Sequence, residues 1–90
     1  MSQDVYEPYQ RRVITEQGQV QDRLVGLNEF LNKGKPETMD DHEWDLLNSQ
    51  AFFMRGYNYT LLQRIHKFNL AIKAKQAGQN ETDEPEAVIG

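Results

Sequence analysis

Six side chains of this 90-residue chain carry its clearest chemical potential: Tyr9, Arg11 and Arg12 near the start, and Tyr57, Arg64 and Lys67 in the second half. Guanidinium forks bind carboxylate or phosphate through paired hydrogen bonds, and tyrosine rings stack on bases or on guanidinium planes. Brought together, these residues would make a site for an anionic ligand, either a nucleotide or an acidic protein surface. Basic residues late in a helix also complement its dipole, so composition alone leaves both roles open.

Catalysis finds little support. His42 and His66 stand far apart, and His42 lies among Asp41, Glu43 and Asp45 with no second imidazole in reach, which is an acidic helix start and not a zinc ligand set. Ser2 and Ser49 are the serines, and neither has an evident base. There is no Gly-rich phosphate loop, no nucleophile elbow and no cysteine, so thiolate metal sites and disulfides are excluded. The expectation is a protein that is not an enzyme and uses no cofactor and no metal.

The elements that must position the basic and aromatic residues are two helices. Every third and fourth residue from Trp44 (Leu47, Ala51, Met54, Asn58, Leu61, Ile65, Phe68, Ile72) makes an apolar seam of helical period, broken by Asn58 alone. A second seam runs through Gln10, Val13, Gln17, Val20, Leu24, Leu27 and Leu31, with Ile14, Val25 and Phe30 widening it. Pro8 suits a first helical turn. Asn32-Lys33-Gly34 followed by Pro36 reads as a helix end, and Asp40 with Glu43 three residues on reads as the next helix start. The prediction is an all-α, antiparallel αα-hairpin with long amphipathic helices over about 8–33 and 40–75, residues 1–7 loose and 76–90 an acidic disordered tail. Gly18, Gly26 and Gly56 interrupt the helices at a cost of roughly 1 kcal/mol each relative to Ala; they are either tolerated surface positions or places where a neighbouring helix comes close.

Only a thin core is available to a hairpin of this size, and small chains often gain stability by oligomerising. Leu46, Phe52, Phe53 and Tyr59 fall off the seam and form an apolar surface without a partner in the hairpin. A homo-oligomer, most simply a dimer closing a helical bundle, is expected to result. The net charge of −4 resides in the tail: the ten Lys and Arg lie within residues 1–75 and are matched there by ten of the fourteen acids. That neutral body argues against duplex DNA as a partner. No apolar run is long enough to span a membrane and no secretory leader is evident, so a cytoplasmic location is expected.

The run Pro8-Tyr9-Gln10-Arg11-Arg12-Val13-Ile14-x-Glu16, followed by Gln50-x3-Met54-x2-Tyr57 and Leu61-Leu62-Gln63-Arg64-Ile65-x2-Phe68, resembles a family of small bacteriophage accessory proteins first catalogued from a gut crAss-like phage. The family pattern usually carries His and Gln in place of Tyr9 and Arg11, and an acid in place of Gln63. The resemblance implies a phage protein acting in the cytoplasm of a bacterial host by binding. It would inhibit or redirect a host antiviral protein through Leu46, Phe52, Phe53 and Tyr59. Alternatively it would act as an oligomeric sponge for a nucleotide immune signal, or serve in virion assembly. Gln10, Arg12, Glu16, Gln50, Tyr57 and Arg64, polar members of the pattern, are expected on facing helices as a structural network or a pocket.

Overall fold

The computed structural model describes residues 5–81. Helix α1 spans Pro8–Asn32 and helix α2 spans Asp41–Glu81, and the two pack antiparallel as a hairpin. The local signals account for both ends of α1 and the start of α2. Pro8 opens α1, and the Glu7 backbone N–H donates to the Gln10 side chain at 2.8 Å. Gly34 takes a φ of 91°, the left-handed conformation that glycine adopts without steric cost, and its N–H bonds back to the Leu31 carbonyl at 3.1 Å. Asp40 accepts the Glu43 backbone N–H at 2.7 Å, satisfying one of the donors a helix start leaves open. Replacing Asp40 with Ala is therefore expected to cost about 1 kcal/mol, read as a melting-temperature fall of about 4–8 °C for a domain of this size.

Helix α2 is continuous through Gly56. It also continues beyond Lys75 to Glu81, longer than the apolar seam implies. The run Ala71 to Ala77 is rich in Ala, Lys and Gln, residues of high helix propensity that need no packing to remain helical. In the segment before α1 the Tyr6 hydroxyl donates to the Asn69 side chain on α2. The tail beyond Glu81, and residues 1–4, lie outside the described residues.

Every seam residue named from the sequence is buried or half-buried, on both helices. The fully buried apolar set is small: Val13, Val20, Leu24, Ala51 and Leu61. Val13, Val20 and Leu61 form the central cluster, with Ile65 and Phe68 packed on it. The radius of gyration is 20.3 Å, against roughly 12 Å for a compact chain of this length. The molecule is a two-helix rod with one shared seam and long outer faces.

Candidate functional site

The antiparallel pairing carries the start of α1 to the later part of α2. There the Tyr9 ring meets Phe68 edge to face at a centroid distance of 5.7 Å, and the Arg64 guanidinium lies 5.8 Å from the same ring. Phe68 is a seam residue, half-buried on the core cluster. It thus holds an aromatic edge and a cation on one rigid support, while Tyr9 and Arg64 themselves are exposed. Lys67 is exposed on α2, one residue before Phe68. The cation–π contact is worth about 0.5–1 kcal/mol at an exposed site, enough to orient Arg64 and too little to occupy its donors.

Arg11 and Arg12 are placed differently. The Arg11 side chain donates to the Tyr6 carbonyl at 2.7 Å, so part of its fork ties down the segment before α1. With Pro8, Thr15, Glu16 and Gln19, the two arginines line an open hollow of about 690 Å³ along α1. That volume suits a nucleotide-sized molecule, but the hollow is a surface depression that one chain does not enclose. Tyr57 lies ten residues before Lys67, about 15 Å back along the axis, in a shallow groove with Val20, Arg23, Leu27, Gln50 and Met54. The structure therefore gathers Tyr9 and Arg64 at Phe68, leaves Lys67 exposed on α2 outside that contact, sets Arg11 and Arg12 along α1, and leaves Tyr57 near the middle of the rod.

The polar residues of the sequence pattern are likewise distributed and form no single network. Gln10 caps α1, Arg12 and Glu16 line the α1 hollow, Gln50 and Tyr57 line the central groove, and Arg64 covers Phe68. The buried network is a different one. Asn58, 8% exposed, accepts from Gln17 at 3.1 Å and donates to Gln21 at 2.9 Å. Both sides of its amide are satisfied within the hairpin, by two glutamines one helical turn apart. Gln21 escaped the sequence reading because it lies beside the seam and not on it; its i, i+4 spacing from Gln17 was the available signal. Asn58→Ala removes both bonds and leaves half-buried Gln17 and exposed Gln21 only their longer 3.5 Å contact with each other; it is expected to cost about 1 kcal/mol, whereas Asn58→Leu restores apolar volume and should cost less. Paired urea melts of the two variants check this order.

The four side chains expected to face a partner are on the outside. Leu46, Phe52, Phe53 and Tyr59 are 51%, 63%, 69% and 64% exposed, and the Phe52 and Phe53 rings touch edge to face at 5.3 Å. The glycines tell a related story. A Cβ built on Gly18, Gly26 or Gly56 meets nothing within 4 Å, so no helix of the same chain comes close to any of them. Among the described residues no group of three or more His, Asp or Glu is placed to hold a metal ion, and no helix is long and apolar enough to cross a membrane.

No curated protein and no solved structure matches this chain. A family model does, over residues 7–67. The match begins at the cap of α1, crosses the connection and ends at Lys67, so it covers the whole of α1 and most of the part of α2 that packs against it, stopping one residue before Phe68. With more than half of its length fitted by that model, the chain belongs to the Sequestin family.

Proposed function

We propose that this protein is a non-enzymatic sequestering protein that binds a nucleotide signal of a host antiviral response and withholds it from its receptor. The observation that carries the reading is the Tyr9–Phe68–Arg64 assembly, a cation and aromatic edges on one support at a basic end of the rod. A nucleotide offers the complementary pair, phosphate for the guanidinium and a base to stack on the exposed Tyr9 ring. The family's name agrees with capture as the activity. A sponge needs no general acid, base or nucleophile; it needs only affinity and abundance. A bacteriophage that encodes such a protein would blunt a signalling defence from within the host cytoplasm.

The test is a thermal-shift panel of cyclic and linear nucleotides on the purified full chain. A ligand at 100 times its dissociation constant stabilises the folded state by about 2.7 kcal/mol, which is several degrees for a domain this small. A panel in which no nucleotide moves the melt would sink the proposal. Direct binding of a host defence protein through Leu46, Phe52, Phe53 and Tyr59 is the competing reading, and it requires that face to be open in the assembled protein.

A further inference from the structure

We infer that the outer face of α2 is a self-association surface: two copies cross antiparallel at Gly56, related by a twofold axis. The spacing comes first. Asp45 and Lys67 each lie eleven residues from Gly56, close to three full helical turns, so all three share one face of α2. Phe52 and Phe53 precede Gly56 by one turn and Tyr59 follows it by one turn, on the same side. The hairpin seam (Ala51, Asn58, Leu61, Ile65) occupies the opposite side, as its burial shows. Helix α2 is therefore apolar on two faces, and α1 covers only one of them.

Gly56 then acquires a role. It costs about 1 kcal/mol relative to Ala in a helix interior, and nothing in its own chain approaches it. With Phe52, Phe53 and Tyr59 it lines a hollow flanked by exposed rings. A bare backbone between aromatic rims lets a second helix lie closer than ordinary side chains allow.

Charge selects the occupant and its direction. From Asp40 to Asp45 the formal charges of α2 and its cap are acidic, and from Arg55 to Lys75 they are all basic. In an antiparallel crossing centred on Gly56, residues equidistant from it on either side meet. Asp45 of each copy then faces Lys67 of the other, and Phe53 faces Tyr59. A parallel crossing would instead set Asp45 against Asp45 and Lys67 against Lys67. Asp45 and Lys67 are both exposed, and among the described residues neither is in an ion pair within the chain. A second copy of this chain matches the face in shape, apolarity and charge order, and a twofold axis makes both halves of the contact the same patch.

The experiment is sedimentation equilibrium on the full chain, with far-UV circular dichroism as the folding control. The wild type is expected to be dimeric at micromolar concentration. Gly56→Leu adds a good helix former into space that is open in the single chain, so helicity holds or rises while the dimer dissociation constant increases by about 10- to 100-fold. Asp45→Lys and Lys67→Asp should each weaken the dimer, and the two together should restore it, a reversal that loss of folding cannot produce. A wild type still monomeric at roughly 100 µM, a millimolar-class affinity at best, would overturn the inference. So would a dimer indifferent to Gly56→Leu, or charge reversals that do not compensate. None of these readouts involves nucleotide, so failure of the sponge reading would leave this result standing, and the reverse.

Discussion

Arg64→Ala is expected to remove the nucleotide-induced rise in melting temperature and to weaken binding by about 10- to 100-fold, the usual worth of a charge-assisted hydrogen bond. The free protein should hardly notice. Arg64 is exposed, and its contact with Phe68 is a single cation–π pair at 5.8 Å, so its removal costs under about 1 kcal/mol of stability. That separation makes the variant informative: affinity falls while the unliganded melt stays in place. Arg64→Lys keeps the charge and loses the planar fork, and should fall between the two. Arg23→Ala, on the exposed face of α1 away from Phe68, serves as the control. Titration calorimetry with the nucleotide found in the panel reads all four proteins. Equal losses for Arg64→Ala and Arg23→Ala would mean that the ligand senses general positive charge and not this site.

Leu61→Ala should be the most damaging single change to the fold, costing about 2–5 kcal/mol. Leu61 is 2% exposed and lies in the cluster with Val13 and Val20. With five buried apolar residues among the described ones, few neighbours can relax into the void. Domains hold about 5–15 kcal/mol in all, and a two-helix rod sits near the lower end, so this variant should be largely unfolded near body temperature. Leu62→Ala, one residue on but 43% exposed, should stay within about 0.5 kcal/mol of the parent. Urea melts at one fixed protein concentration compare them, since any self-association makes apparent stability depend on concentration. Similar midpoints for the two variants would show that the cluster is not the centre of the fold.

The Asn58 position shows how far the chain could be read before its structure. Its place on the seam was legible, because a lone amide among eight apolar residues at helical spacing must be buried once the helix packs. Its partners were not. The spacing fits either a symmetry mate or Gln17 as its partner and does not point to Gln21; the choice depends on the axial offset and crossing of two helices, which no local pattern records. The basic cluster behaved in the same way. Antiparallel pairing about the loop sets both Tyr9 and Arg64 against Phe68, yet Arg11 turns back to the Tyr6 carbonyl and Tyr57 lies about 15 Å from Lys67 along the axis. Long side chains choose among several partners within reach, and that choice follows from positions finer than one turn.

The amino-acid sequence alone specifies the two helices, three of their four ends and the faces they bury. Period, cap residues and a glycine placed for a left-handed turn are local, and they act before any tertiary contact forms. The tertiary structure decided what cannot be local. It gave Asn58 two glutamine partners, rested Tyr9 and Arg64 on Phe68, and left Gly18, Gly26 and Gly56 with open space around them. The physical reason is one of range. Helix geometry repeats every 5.4 Å from nearest-neighbour torsions, whereas the depth and offset at which two helices meet are set by the summed packing of every residue along the seam.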